Sequence, residues 1–546
     1  MLAWNAFVLL SFVGAGAAAF AWLRELGLAR GPALAGGLAF EIAPYRAAQS
    51  TGHLLGPISI CLPLALWAFE RGRRGSPSWF ALAGLALASI PLSGQVHLAL
   101  GATPFFLLYA LCRTRARRAV AAALVAALAA VGAGLAVRYG VISGTLEAGG
   151  RSLGEVSSYS AEPADFFARH KRHGSESFVF LGWLTPFAAI LGVALLVRSG
   201  RRALAAALGI GALVPILLAL GTNLPTYSAL WHALPPFRYP RVPERLMPIA
   251  CLALAALVAV VVAELARRRG AVLVVAVVAL LFVDLHATVF GSSAADEGNR
   301  AYAALRSAPP GRLLELPVFL PGIHFGSAYL YYDEQALRQR PGGYSTLAPV
   351  AADVAARALR PLNCGDWTGG RSALVSSLGV TAIALHEGVY TQNPDARNRS
   401  WFAWRALVAH GFRPLAADGP VTTFVRGVGS AGQESEPPVA EPARALPQFC
   451  DGWYPPHGHE WQMSDGHAPL WVYGTRAHLF LRASPPLTVR LSVDGRESVT
   501  VRAARPRALS LRFGRLGWHL LALDTHLPNV GGRPAGAYVR DVRGAQ

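Results

Sequence analysis

One arginine-bearing segment carries the residue types best suited to binding a phosphate group. The run Pro-Phe-Arg-Tyr-Pro-Arg-Val-Pro-Glu-Arg occupies residues 236–245 and places Arg238, Arg241 and Arg245 among three prolines. A guanidinium group is a planar fork that holds two phosphate oxygens at once. We interpret the segment as a rigid cationic loop for an anionic lipid head group, such as a polyprenyl phosphate. The alternative is a loop whose arginines pair with nearby carboxylates.

Other polar residues lie in connectors that the topology below places on the same side. Polar groups at membrane depth are costly, so they are candidates for function, although each alone could be a solvated loop residue or a structural pair. Beside the three arginines, we assign the following residues to substrate binding: Arg46, His53, Gln95, His97 and Tyr159.

Three carboxylates in the same connectors are candidates for general acid–base chemistry, in which a side chain takes a proton from the reacting group. They are Glu41, Glu162 and Asp165. The structural alternative is an ion pair with a neighbouring arginine, namely Arg46, Arg169 or Arg241.

The composition is that of a membrane protein. Of 546 residues, 53% are hydrophobic and 15% are charged, whereas soluble globular proteins carry roughly 25% charged residues. The net charge of +19 fits nucleic acid, an anionic membrane or the basic loops of a polytopic protein. An ordinary soluble enzyme and a disordered chain are excluded.

The elements that position these residues are apolar runs within residues 1–290. A spanning helix needs about 20 mostly apolar residues, and sheltered helices can be shorter. We predict an α-helical polytopic domain of about ten spans: 2–22, 33–44, 54–69, 79–93, 95–112, 119–141, 180–197, 203–221, 246–265 and 271–289.

Arginine-rich connectors predict the orientation of these spans, because basic residues favour the cytoplasmic side. Four such connectors alternate along the chain, at 71–74, 113–118, 198–202 and 267–269. The segments named above then face outward, together with everything after Phe290. The same alternation places Met1 outside without a signal sequence, so we expect a further helix and an outer loop before Met1.

Two further domains are predicted after the membrane part, which fills residues 1–290. Residues 291–435 read as an extracytoplasmic α/β domain with buried strands near 312–318 and 378–386. Residues 436–546 show strict alternation of apolar residues and an Asp494-Gly495 turn, which predicts a C-terminal β-sandwich. The segment 428–446 is the expected linker.

The five cysteines divide between the two halves of the chain. Cys61, Cys112 and Cys251 lie in predicted spans, where cysteine is a small apolar residue. Cys364 and Cys450 lie on the side predicted to be oxidising, and we expect them to form a disulfide.

Several short motifs resemble bacterial multi-span glycosyltransferases of the GT-C superfamily, closest to a large actinobacterial-type group. The main motif is Phe-Glu-Ile-Ala-Pro-Tyr-Arg at residues 40–46. Further matching segments lie at residues 4–5, 52–54, 63–66, 157–161, 237–245 and 452–456.

This resemblance implies transfer of a sugar from a polyprenyl-phosphate donor to a glycan or lipid acceptor on the outer face of the cytoplasmic membrane. Such enzymes use an outer-loop carboxylate after the first helix as general base, and arginines stabilise the leaving phosphate. The loop that carries this carboxylate in the family would precede Met1, which leaves Glu41, Glu162 and Asp165 as substitutes. No metal-ligand motif is present, although the resemblance is compatible with a divalent metal.

Other functions fit the sequence less well. One alternative is an inactive membrane scaffold or glycan-binding protein of cell-envelope assembly. A transporter is disfavoured because the apolar half shows no inverted repeat and few charges within spans. Nucleic acid is rejected as a partner, because the basic clusters lie in short connectors that orientation already explains.

Overall fold

A computed structural model describes residues 2–50, 53–170, 178–288, 298–345, 347–390, 399–427, 437–527, 529–530, 533–534 and 536–545. The chain divides into two compact units, Met1–Ser293 and Ala294–Gln546. The predicted domain boundaries after residues 290 and 435 lie outside the described residues, so the division into three domains stays a prediction.

The first unit is helical. Its α-helices are α1 (Leu2–Glu25), α2 (Arg30–Glu41), α3 (Pro44–Ala48), α4 (Leu55–Ile58), α5 (Cys61–Arg74), α6 (Ser78–Leu92), α7 (Val96–Arg113), α8 (Arg117–Gly140), α9 (Leu153–Ser158), α10 (Thr185–Arg198), α11 (Arg202–Ala219), α12 (Pro225–Ala233), α13 (Met247–Arg269) and α14 (Ala271–Asp284). Short 3₁₀ helices occupy Ile142–Gly144, Pro163–Phe167, Gly221–Asn223, Pro235–Arg238 and Pro243–Leu246.

Five helical stretches in the described part of this unit are long and apolar enough to cross a membrane. They are Asn5–Glu25, Val96–Arg113, Arg117–Gly144, Arg202–Ala219 and Pro243–Arg268. Shorter apolar helices occupy Ser78–Leu92, Thr185–Arg198 and Val274–Asp284. The polytopic helical architecture is confirmed, whereas the count of ten spans stays a prediction. The predicted span 33–44 corresponds to α2, which has 12 residues.

Helix α13 lies at the centre of the helical unit, and most of its residues are buried. Two glycines allow neighbouring helices to approach it closely. A methyl group added to Gly36 of α2 would lie 3.0 Å from the main-chain oxygen of Ala255. One added to Gly192 of α10 would lie 2.5 Å from that of Leu257. Small residues at such crossings are how helices pack tightly in membranes.

Asp284, at the end of the last apolar helix, caps another helix. Its carboxylate accepts hydrogen bonds from the main-chain N–H groups of Trp183, Leu184 and Thr185 at 2.8, 2.8 and 3.0 Å. It also accepts one from the hydroxyl of Thr185 at 2.7 Å. These donors lie at the start of α10, where N–H groups lack partners within the helix. Asp284 therefore joins α14 to α10.

A buried carboxylate also lies at the opposite, arginine-rich ends of the helices. Glu70 of α5 is fully buried and accepts hydrogen bonds from Tyr109 Oη and Arg113 Nε, both at 2.6 Å. Arg73 donates to its other oxygen at 2.5 Å. Trp22 Nε1 donates in turn to Tyr109 Oη at 2.8 Å. Helices α1, α5 and α7 are thus joined by one polar network.

The second unit begins with a mixed sheet covered by short helices. The helices are α15 (Arg300–Ala304), α16 (Ser327–Tyr331), α17 (Val350–Leu359), α18 (Arg371–Ser377), α19 (Glu387–Tyr390) and α20 (Arg399–Ala409). The strands are β1 (Arg312–Leu316), β2 (Val380–His386), β3 (Phe412–Asp418) and β4 (Val421–Arg426), in the order β1-β2-β4-β3. Strands β1 and β2 are parallel, and the other pairs are antiparallel.

The rest of this unit is a β module. Its strands are β5 (Gln448–Phe449), β6 (Glu460–Gln462), β7 (His467–Ser484), β8 (Leu487–Val493), β9 (Arg496–Ala503), β10 (Arg507–Thr525), β11 (Asn529–Val530), β12 (Arg533–Pro534) and β13 (Gly536–Ala545). Hydrogen bonds join seven of them into one antiparallel sheet, in the order β6-β13-β7-β10-β8-β9 with β5 on β7. Strands β7 and β10 are long, with 18 and 19 residues, and run through the whole module. A strand-rich C-terminal module is confirmed, whereas its sandwich form stays a prediction.

A disulfide and a stacked aromatic pair connect the mixed sheet region to the β module. Cys364 and Cys450, the two cysteines expected to pair, are joined with their Cα atoms 5.8 Å apart. Trp471 of β7 donates to the main-chain oxygen of Cys364 at 2.8 Å. The Trp471 ring stacks on Phe402 of α20 at 4.5 Å between centroids. The second unit is therefore covalently and sterically tied together.

Candidate functional site

The proline-rich loop between α12 and α13 holds its arginines in a fixed conformation. Its prolines begin two short 3₁₀ helices, Pro235–Arg238 and Pro243–Leu246, because the ring fixes φ near the helical value. Arg238 donates from Nε and Nη2 to the main-chain oxygens of Trp231 and His232 at 3.2 and 3.1 Å. These bonds set the direction in which the loop leaves α12.

Arg241 and Tyr159 come together from separate connectors. The Cζ atom of Arg241 lies 4.7 Å from the centroid of the Tyr159 ring, within the range of a cation–π interaction. Tyr159 directly follows α9, and both side chains are partly buried. The structure thus unites two of the residues that we assigned to substrate binding.

Arg151 joins the same region, although sequence reasoning did not single it out. Its main-chain N–H donates to the oxygen of Arg238 at 2.7 Å, and its side chain is buried between Glu147 and Glu155. Burial raises the pKa of Glu147, although the charges of Arg151 and Arg241 oppose that rise. Gly150 permits this contact, since it has φ +85° and a Cβ there would lie 3.0 Å from the Arg238 oxygen. The paired glycines at 149 and 150 were the available sequence signal.

His97 lies at the start of α7, within electrostatic range of Arg245 and Arg151. The histidine is 7% exposed, and its Nε2 atom has no hydrogen-bond partner among the described residues. Gln95, the residue that precedes α7, is partly buried. We call Arg151, Arg238, Arg241 and Arg245 the arginine cluster; Tyr159 and His97 lie against it.

Next to the arginine cluster is a cavity of about 440 Å³ with mainly apolar walls. It lies between α7, α8 and the loop residues Pro235, Pro236 and Tyr239. At its polar end, the Cζ atom of Arg138 lies 4.6 Å from the Tyr239 ring centroid. Arg138 also donates from Nη2 to the main-chain oxygen of Ala148 at 2.7 Å. We call this cavity the apolar crevice.

Arg46 has different surroundings from those expected of a phosphate ligand. It is fully buried, and its guanidinium donates to Ser59 Oγ at 2.6 Å and to main-chain oxygens of Glu41, Ser11 and Gly56 at 2.9, 3.3 and 3.3 Å. These contacts hold α1, α3 and α4 together. In this structure Arg46 acts as a structural cation, and its assignment to substrate binding stays a prediction. His53, which follows residues outside the described part, is partly buried.

The three predicted carboxylates occupy different environments. Asp165 is buried and accepts a hydrogen bond from the main-chain N–H of Glu162 at 2.8 Å. It thereby caps the short helix Pro163–Phe167. Glu162 is exposed. Glu41 is partly buried at the end of α2, against Gly16 of α1.

Across the described ranges, no group of three or more His, Cys, Asp or Glu side chains is placed to hold a metal ion. The arrangement described above combines arginines and aromatic rings with Glu147 and Glu155 beside Arg151, and its guanidinium groups are the part that suits an anion.

Known proteins resemble this chain in two ways: a family matches the first unit, and a solved structure is similar to nearly the whole chain. Residues 1–292 match a family described as the 6-pyruvoyl-tetrahydropterin synthase related domain, a membrane protein. No curated protein matches the chain in sequence. Among solved structures, the chain is similar to arabinofuranosyltransferase AftD from mycobacteria, determined by single-particle cryo-electron microscopy, with a TM-score of 0.50 and 14% identity.

That similarity covers 99% of this chain and 52% of the arabinofuranosyltransferase. The chain therefore spans about half the length of the protein that it resembles. At this identity the likeness shows the fold alone.

Proposed function

The chain belongs to the membrane-protein family of the 6-pyruvoyl-tetrahydropterin synthase related domain, and we propose that it is a glycosyltransferase of the GT-C type. It transfers a sugar from a polyprenyl-phosphate donor to a glycan or lipid acceptor. The reaction takes place on the outer face of the cytoplasmic membrane, where the second unit also lies. The fold shared with an arabinofuranosyltransferase supports the reaction class.

The observation that carries this proposal is the apolar crevice beside the arginine cluster. A polyprenyl phosphate has a long hydrocarbon chain and an anionic head, so its site needs apolar walls next to cationic donors. The crevice supplies the walls, and Arg138 lies at its polar end. Tyr239, which also lines the crevice, is next to Arg238 in sequence and two residues from Arg241.

The positive charge of the arginine cluster stabilises the phosphate as it leaves the sugar. When the glycosidic bond to the phosphate breaks, negative charge grows on the leaving oxygen. Preorganised cationic donors stabilise such charge without reorganising solvent. In this proposal Arg241 and Arg245 take this role, and His97 Nε2 hydrogen-bonds the head group from α7.

The acceptor hydroxyl must lose a proton as the bond to the sugar forms. Asp165 is held by the turn that it caps, and Glu162 is exposed. Glu41 is partly buried, and its main-chain oxygen accepts a hydrogen bond from Arg46. Of the three carboxylates, we therefore propose Glu41 as the general base.

Binding of undecaprenyl phosphate to the purified chain in nanodiscs tests the proposal. A hydrogen bond to a charged group is worth about 1.5–3 kcal/mol, so Arg241→Ala should weaken binding by about tenfold or more. Arg268→Ala is the matched control, because Arg268 is exposed and paired with Glu264. Unchanged affinity in Arg241→Ala would show that the arginine cluster does not bind the phosphate. Equal affinity for undecaprenol, which lacks the phosphate, would show the same.

A sugar-transfer assay then separates the enzyme from the scaffold. Transfer of a labelled sugar from a polyprenyl-phosphate donor by the wild-type chain supports the enzyme, and its loss in Glu41→Gln supports the proposed base. Tight binding without any transfer would identify a lipid-binding scaffold instead.

A further inference from the structure

A separate cavity of about 190 Å³ lies in the second unit, where β1 ends. One wall is apolar and is formed by residues between Pro317 and Ile323, together with Val389. The opposite wall is polar and contains Arg360, Asn363, Tyr390, Arg399 and Asp451. Ligands commonly bind beyond the carboxyl ends of parallel strands, and β1 pairs in parallel with β2.

Among the described residues of this polar wall, the charges do not balance. Asp451 Oδ1 lies 3.2 Å from Arg399 Nη1 and 3.5 Å from Arg360 Nη2. One carboxylate is therefore shared by two guanidinium groups, and these three residues carry a net charge of +1. A partly enclosed surplus charge is costly in the absence of a counterion, because the low local dielectric screens it poorly. The cavity is thus suited to a ligand with one negative charge.

The polar wall is held in place by hydrogen bonds. Asn363 Nδ2 donates to Asp451 Oδ2 at 2.9 Å and to the main-chain oxygen of Val318 at 3.0 Å. The main-chain N–H of Val318 donates back to Asn363 Oδ1 at 2.5 Å. Tyr390 Oη donates to the main-chain oxygen of Asn363 at 2.9 Å. Both walls are therefore fixed relative to each other through Asn363.

The disulfide reinforces this arrangement. Asn363 precedes Cys364, and Asp451 follows Cys450, so the Cys364–Cys450 bond joins the two neighbours of the hydrogen-bonded pair. Arg399 Nε donates to the main-chain oxygen of Phe449 at 3.0 Å, which fixes the second guanidinium to the same segment. A site held this rigidly loses little conformational entropy when a ligand binds.

Size and charge narrow the ligand class. Pockets for drug-sized molecules measure roughly 300–1,000 Å³, so a cavity of about 190 Å³ fits one ring or a fragment of that size. A phosphate group carries about −1.5 to −2 charges and would overcompensate the surplus. A carboxylate carries one charge and matches the guanidinium fork.

In the part of the chain that the structure describes, one further carboxyl group lies near the cavity. Glu387 influences Tyr390 electrostatically but does not line the cavity. Burial raises the pKa of Glu387 to about 7. Near neutral pH it therefore carries only part of a negative charge, and the polar wall keeps its positive surplus.

We propose that this cavity binds a carboxylate-bearing sugar ring, as a uronic acid unit of the glycan acceptor. The carboxylate is inferred from the charge of the cavity, and the sugar rests on the proposed function. The carboxylate pairs with Arg360 and Arg399, and the ring lies against the apolar wall.

Titration of the purified full chain with glucuronate tests this site, with glucose and inorganic phosphate as comparison probes. We expect glucuronate to bind at least tenfold more tightly than either. Arg360→Gln should weaken glucuronate binding about tenfold, because it removes the surplus charge. Arg405→Gln is the matched control, since Arg405 is exposed on α20 and does not line the cavity.

Equal binding of glucose and glucuronate, tighter binding of phosphate, or an unchanged affinity in a folded Arg360→Gln chain would each overturn the proposal. Ile323→Trp provides a second variant that fills the cavity from its exposed rim, and it should abolish glucuronate binding without touching the arginines. The sugar-transfer assay separates this site from the proposed function. Transfer without glucuronate binding removes only the acidic-sugar site, and glucuronate binding without transfer removes only the transferase.

Discussion

The guanidinium of Arg241 lies over the ring of Tyr159, with Cζ 4.7 Å from the ring centroid. The pair links the proline-rich loop before α13 to the connector after α9. An aromatic face attracts a cation, so the ring of Tyr159 helps to fix the position of the Arg241 guanidinium.

This pair makes the ring of Tyr159 a determinant of phosphate binding. A cation–π interaction is worth about 0.5–2 kcal/mol, so Tyr159→Leu should weaken undecaprenyl phosphate binding about 2- to 30-fold. Tyr159→Phe keeps the ring and should bind like the wild type. If Tyr159→Phe lost as much affinity as Tyr159→Leu, the hydroxyl group rather than the ring would be responsible.

The apolar crevice can be blocked from α8. Gly134 lines it, and an added Cβ would meet only Pro91 Cβ, at 3.9 Å, so Gly134→Phe should extend into the crevice without displacing the backbone. Excluding two methylene groups of the lipid costs about 1.6 kcal/mol. We therefore expect more than tenfold weaker binding of undecaprenyl phosphate in nanodiscs.

Gly132 of the same helix offers a matched control. It is exposed and does not line the crevice, and a Cβ there meets nothing within 4 Å. Gly132→Phe should bind the lipid like the wild type. Equal losses in both variants would show that the effect comes from α8 itself and not from the crevice.

His467 predicts a pH-dependent stability of the second unit. Its Nε2 atom lies 2.8 Å from Asp366 Oδ2 and its Nδ1 atom 2.7 Å from Asp524 Oδ1. Only the protonated ring can donate from both nitrogens. Burial alone would lower the pKa of His467, but the hydrogen bonds to Asp366 and Asp524 outweigh it and raise the pKa.

Because the folded-state pKa of His467 is raised, its stabilisation is fully present below the unfolded value of about 6.5 and is lost as pH rises through the folded value. The midpoint temperature of thermal unfolding of the second unit should therefore be lower at pH 8.5 than at pH 6.0. In His467→Gln this fall should be smaller. An identical fall in both chains would assign the pH dependence to other groups.

Sequence patterns predicted some of these features because they follow from local chemistry. Prolines around Arg241 predicted a rigid cationic loop, and long apolar runs predicted the polytopic unit. The surroundings of Arg46 were not predictable, since the residue type does not reveal that main-chain oxygens of three other segments converge on it. The apolar crevice was missed for a related reason, because its walls come from α7, α8 and a distant loop.

The sheet of the β module shows the same limit. Alternating apolar residues predicted the strands, and Asp494 and Gly495 have the positive φ values, 48° and 81°, of the expected tight turn. Alternation does not say which strands pair, so the order of the strands in the sheet was not predictable.

The network around Glu70 has a consequence for how the protein is made. Two of the donors to this carboxylate, Tyr109 and Arg113, follow it by 39 and 43 residues. While the ribosome is still synthesising that stretch, Arg73 is the donor to Glu70 that has already been made. The full set of hydrogen bonds to Glu70 can therefore form only after α7 has been translated.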